Sequence, residues 1–97
     1  MTETQFVHEH KMDFFTYLHS KFTIFHHSNV FYRDIRYALK SYMLSNGFKL
    51  SEMELDAAVD TFIVEMAESG ILKMVSTGTW TVQYPEFQTK KSGKPVR

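Results

Sequence analysis

Cysteine is absent from the chain, which excludes disulfides, thiolate metal sites and cysteine nucleophiles and fits a reducing compartment. No apolar run approaches the roughly 20 residues needed to span a bilayer. The first residues, with Glu3 and Glu9, lack the basic and apolar regions of a signal peptide. The expectation is a cytoplasmic protein. Glycine occurs four times and proline twice. Three of the glycines stand where helices or turns end and the fourth lies in the tail, so no glycine-rich loop is left to cradle phosphate. Internal repeats, low-complexity tracts and lipidation signals are also missing.

What is present suits one small domain. Ninety-seven residues carry a modest core, and an aromatic content of 15%, including nine Phe, supplies it. The net charge is zero, but it is unevenly spread. Residues 1–28 carry two basic side chains and three acids, 29–50 four and one, 51–75 one and six, and 76–97 four and one. The chain therefore divides into a basic helix, an acidic helix and a basic tail.

The most informative stretch is Ser51 to Tyr84. Ser51 with Glu54 forms a capping box, and Gly70 supplies a left-handed stop. Between them Leu55, Val59, Phe62, Ile63 and Met66 recur at helical spacing and form a face to be buried. After Gly70 the period becomes two. Ile71 and Val75 on one strand, and Trp80, Val82 and Tyr84 on the next, predict a hairpin around Thr77-Gly78-Thr79. Gly78-Thr79 suits a type II′ loop better than Thr77-Gly78 suits type I′, because threonine resists positive φ. In either register Val75, Trp80 and Val82 share a packing face, and Pro85 ends the strand. Trp80 is read as core rather than as a base-stacking contact.

Upstream, Thr2 and Gln5 resemble a second capping box, and Val7, Phe14, Leu18 and Phe22 place helix 1 at about 3–20. Lys21–Phe25 alternates like a short strand that would pair with the hairpin as its third member. Ser28 or Asn29 is positioned to cap helix 2, expected over about 30–45 with Phe31, Ile35, Ala38, Leu39 and Tyr42 buried and Asn46-Gly47 as its stop. Arg33, Arg36, Tyr37 and Lys40 fall on the opposite side. Phe48-Lys49-Leu50 joins the two helices closely. Residues 86–97 hold little apolar content after Phe87 and are expected to be a disordered basic tail, which leaves residues 1–85 as the domain.

The order helix, short strand, helix, tight turn, helix, hairpin resembles the winged-helix variant of the helix-turn-helix. The residues carrying the likeness are Leu50-Ser51, the spacing Leu55, Val59, Phe62 and Met66, then Glu68-Ser69-Gly70-Ile71-Leu72 and the aromatic end of the wing at Tyr84. The resemblance implies a mostly helical α+β domain in which helices 2 and 3 form the helix-turn-helix pair and 71–84 the wing. It also implies nucleic-acid association, of the kind seen in transcription regulators.

The third helix departs from that pattern. In DNA-binding members it enters the major groove, whereas here it holds Glu52, Glu54, Asp56, Asp60, Glu65 and Glu68 with no Lys or Arg. Each carboxylate opposes phosphate neutralisation. Two readings follow for a non-enzymatic protein. In the first, Arg33, Arg36, Tyr37, Lys40 and Lys49, with Lys90, Lys91, Lys94 and Arg97 of the tail, make nonspecific contacts to a phosphate backbone. In the second, Met53, Ala57 and Val64, flanked by Asp60 and Glu68, dock a basic and partly apolar partner or a second copy. The plainer readings are a solvated charged face and scattered surface apolars. A third arrangement sets the basic side of helix 2 against the acidic helix of a neighbouring copy in a homodimer. The first reading stands slightly ahead on the strength of the resemblance.

No cofactor, metal or small-molecule substrate is expected. His8 and His19 share a side of helix 1 but sit about 16 Å apart along it at 1.5 Å per residue. His8 and His10 diverge at a spacing of two, and His26-His27 lacks further ligands. No nucleophile, base and orienting group fall together.

Overall fold

Ser51 starts the helix that organises the molecule. In the computed structural model, which describes residues 2–22 and 24–86, its hydroxyl accepts from the Glu54 N–H at 3.2 Å. The Glu54 carboxylate accepts from the Ser51 N–H at 2.8 Å, completing the capping box. This helix, Glu52–Glu68, is the third of three, after Glu3–Phe22 and Tyr32–Ser45; we label them α1 to α3. Strands Asn29–Phe31, Leu72–Ser76 and Thr79–Val82 are β1 to β3. The result is a mostly helical α+β domain with one antiparallel sheet in the order β1-β3-β2.

Both glycine stops form as expected. Gly47 and Gly70 adopt φ of +89° and +81°. Behind each, the next N–H reaches back to the third-last helical carbonyl: Phe48 to Met43 at 2.8 Å, and Ile71 to Met66 at 3.0 Å. These are Schellman closures, and a Cβ in the left-handed region would strain either. The Gly47 stop turns the chain within a few residues, so α2 and α3 pack together, and the Gly70 stop leads from α3 into β2.

The core lies where the three helices meet the inner side of the sheet. Leu55, Val59, Phe62, Ile63 and Met66 of α3 are buried there, as is Ala58. They meet Phe6, Val7, Phe14, Phe15 and Leu18 of α1 and Ile35, Ala38, Leu39 and Met43 of α2. The Phe14 and Phe62 rings stand edge to face with centroids 4.8 Å apart, a geometry that adds to their area burial. Trp80 is buried with Val30 and Val82, as a core residue.

Helix α1 is not straight. His10 leaves helical dihedrals (φ −115°, ψ 19°), its ring stacks on Phe6 at 4.1 Å, and its Nδ1 donates to the Phe6 carbonyl at 3.1 Å. That carbonyl is the one residue 10's own N–H meets in a regular helix. A side chain competing for it is a recognised cause of a kink.

Several expectations need correction. The third strand is not Lys21–Phe25. α1 continues to Phe22, and Asn29–Phe31 pairs with β3 instead, with Val30 opposite Trp80. Neither Ser28 nor Asn29 caps α2. Phe31 occupies the cap position without a side-chain bond, while Ser28 Oγ accepts from the Phe25 N–H and Asn29 accepts from the Thr81 hydroxyl. Phe31 faces outward, and Val30 takes the buried place. In the hairpin, Leu72 rather than Ile71 or Val75 is opposite Val82, and a register shift between Met74 and Ser76 leaves Val75 exposed. A bulge moves one residue off the alternation, so Val75 does not share the face of Trp80 and Val82. The loop is Thr77-Gly78 with positive φ at Gly78 alone, which is neither primed type.

Candidate interaction surfaces

Two helices of the domain present long exposed stripes. On α2 the residues Arg33, Tyr37, Lys40 and Leu44 are all exposed, Tyr37 at 62% and Leu44 at 59%. Steps of four, three and four place them on one side of the helix. On α3, Met53, Ala57, Asp60 and Val64 are exposed at the same spacing, Met53 at 83% and Val64 at 53%, and Glu68 continues the line. The buried side of each helix is satisfied by the core. The outer sides stay exposed, and on α2 the Tyr37 ring is met edge-on by Phe22 of α1 with centroids 6.4 Å apart and by Lys21 Nζ at 5.5 Å from its centroid.

The α2 stripe runs into a groove. Tyr37, Lys40, Ser41 and Leu44 line one depression of about 280 Å³. Lys40 and Leu44 continue into a second of about 200 Å³ with Phe48, Lys49 and Leu50. Its floor is apolar, its rim carries two ammonium groups, and no carboxylate is among the lining residues. Lys49 joins this site only because the Gly47 stop folds the connector back along α2. The exposed Leu44 and the groove beside it were missed in the sequence. The +7 spacing from Tyr37 to Leu44 is the signal that points to them.

Arg36 does not belong to that stripe. Its guanidinium donates through Nε to Asp56 Oδ1 at 2.9 Å and through a second nitrogen to Glu52 Oε1. The two hydrogen bonds, to Asp56 and then Glu52, push the guanidinium further from deprotonation. The bond from Arg36 in turn holds the Glu52 carboxyl below the ordinary range. Helices α2 and α3 cross closely enough for this long side chain to span them, so Arg36 is a cross-brace rather than an open phosphate ligand. Arg33, Lys40 and Lys49 make no ion pair among the described residues. Lys90, Lys91, Lys94 and Arg97 lie outside the described residues, as does the expected disordered tail from residue 87 on, while Glu86 at its start is described and accepts from the Tyr84 hydroxyl at 2.9 Å.

A second brace ties α1 to α3. His8 Nδ1 lies 2.8 and 2.9 Å from the two oxygens of Glu65, and Lys11 Nζ is 3.3 Å from one of them. Partial burial raises the Glu65 pKa, but the bonds from His8 and Lys11 outweigh it and hold the carboxyl below its ordinary value. Beside it Asp60, Thr61, Val64 and Glu65 line a shallow depression of about 290 Å³. Asp60 and Glu68 make no ion pair among the described residues.

The histidines are used singly. His10 and His19 donate to the carbonyls of Phe6 and Ile24, and His26 Nδ1 accepts from the Tyr84 N–H at 3.0 Å with the His27 ring tilted against it, centroids 3.7 Å apart. Among the described residues, no three His, Asp or Glu side chains gather as a metal site. No helix among them is long and apolar enough to cross a membrane. No family model, curated protein or solved structure matches the chain.

Proposed function

We propose that this chain is a non-enzymatic winged-helix domain that works as a protein-interaction module, with the outer side of α3 as its docking surface. The element order and the sheet order β1-β3-β2 support the winged-helix reading, with 71–84 as the wing. The observation that carries the function is the composition of the α3 stripe. Met53 and Val64 stand out into solvent with Ala57 between them, in a frame of Asp60 and Glu68 and without a single cation. Apolar groups at a surface gain by removal from water, and the carboxylates around them select a basic partner and repel a polyanion.

The test uses a labelled synthetic helix with leucines along one side and lysines along the other, titrated with the protein and followed by fluorescence anisotropy. Wild type is expected to bind it. Met53→Glu with Val64→Glu is expected to lose binding while keeping its helical spectrum. Equal binding by both proteins contradicts the assignment.

A second reading has its own support. Arg33, Tyr37, Lys40 and Lys49 form an open basic strip even after Arg36 is withdrawn from it, and such a strip suits nonspecific contact with a phosphate backbone. It predicts retention on duplex DNA that weakens steeply as salt rises and vanishes on charge reversal at Arg33, Lys40 and Lys49. No retention at low salt removes it.

A further inference from the structure

The acidic stripe and the basic groove are complementary to each other. One offers apolar side chains framed by carboxylates, and the other an apolar floor of Leu44, Phe48 and Leu50 rimmed by Lys40 and Lys49. Within one chain the same attraction already operates, since Arg36 of α2 meets Glu52 and Asp56 of α3. That brace uses up the charges at the crossing and leaves Lys40 and Lys49 on one side, and Asp60 and Glu68 on the other, without an ion pair among the described residues.

We infer that the α3 stripe docks a second copy of this chain, each copy seating its Met53–Val64 side in the other's Lys40–Lys49 groove about a twofold axis. The inference rests on the reading of α3 as an interaction surface and adds the identity of the partner. The two patches share a border: Leu50 closes the groove, Ser51 caps α3, and Met53 follows two residues on. A twofold axis near that border makes the same contact twice and closes the assembly, whereas a head-to-tail arrangement leaves an unfilled groove at one end and an uncovered stripe at the other. The net charge of zero adds no overall repulsion between copies. Apolar contact supplies the attraction between the patches, and the lysines and carboxylates set the register.

The test is sedimentation of the full chain over a concentration series. Wild type is expected to dimerise more weakly as salt rises. Lys40→Glu with Lys49→Glu, and separately Asp60→Lys with Glu68→Lys, are each expected to weaken the dimer by at least about tenfold, as close interfacial charge pairs do. Mixing the two variants restores association, because each altered groove then faces an altered stripe of opposite sign. Circular dichroism checks that the variants fold. If either does not, Leu44→Ser and Met53→Ser probe the same patches without changing charge.

A dimer indifferent to both reversals, or variants that fail to complement, overturns the inference. So does a wild type that stays monomeric at every concentration. A monomer that still binds the basic synthetic helix through Met53 and Val64 shows that the partner is a different protein and leaves the α3 reading intact. A monomer that does not bind it sinks both. Capture in the groove of an acidic synthetic helix by a wild-type monomer identifies another occupant and likewise overturns the second copy.

Discussion

The outer sides of α2 and α3 are built to one plan and carry opposite chemistry. Arg33, Tyr37, Lys40 and Leu44 repeat the spacing of Met53, Ala57, Asp60 and Val64, so both helices present a narrow exposed line over a fully buried one. On α2 the line is basic and opens into a groove. On α3 it is acidic and borders only a shallow depression at Asp60 and Val64. Geometry alone makes either helix a candidate for lying along a partner; the sign of the charge decides which partner is tolerated. A carboxylate near a duplex works against counterion release, and a lysine at the rim of an apolar groove favours an acidic one. Arg36 shows where the two lines touch, because it leaves the basic side to neutralise the acidic one.

The largest expected effect comes from removing the platform beneath both lines. Phe62 is fully buried against Phe14 and Phe15, so Phe62→Ala is expected to cost about 3–5 kcal/mol through lost transfer energy and the cavity left behind. Denaturant unfolding measures it. A cost below about 1 kcal/mol, the range of a surface substitution, contradicts the core described here. Next comes the start of the acidic line: Ser51→Ala removes one half of the capping box and is expected to cost about 1 kcal/mol, read as a lower unfolding midpoint at unchanged slope.

Acid separates the braces from the lines. Glu52 and Glu65 are both held below their ordinary value of 4.5, so each stabilises the fold while ionised. That contribution is complete above this value and is lost as pH falls through the lowered one. The melting temperature should therefore drop as solutions are taken from about pH 5 toward pH 3, and Glu65→Gln should lessen the drop. A variant with the full wild-type decline contradicts the role given to the His8, Lys11 and Glu65 contact. The smallest effect on stability belongs to the lines themselves: Met53→Glu with Val64→Glu is expected to shift unfolding by no more than about 0.5 kcal/mol, as exposed sites do, while abolishing association. A large loss of stability places these side chains in the core and removes the contrast.

Much of this was legible because it is local. Ser51 with Glu54, the stops at Gly47 and Gly70, and the buried spacing from Leu55 to Met66 are written within one helix length and form as read. What escaped depends on residues far apart in the chain. Asn29–Phe31 is a strand only because Trp80 and its neighbours lie beside it, and three residues carry no period of their own. Val75 leaves its expected face through a bulge, which strict alternation does not represent. Arg36 sits on the exposed side of a helical wheel, yet the packing of α2 on α3 brings Glu52 and Asp56 within its reach. The candidate stripe on α3 was readable in full, from Met53 to Glu68, while the groove facing the same border needed the connector to fold back.

The central claim is that the outer side of α3 meets a basic, partly apolar protein surface and not a polyanion. Backbone amide resonances recorded while the leucine-lysine helix is added test it most directly. The account predicts shifts at Met53, Ala57, Asp60, Val64 and Glu68, with none at these positions when duplex DNA is added instead. Shifts at Glu54, Asp60 or Thr61 caused by the duplex, or no movement of the stripe with the synthetic helix, contradict it.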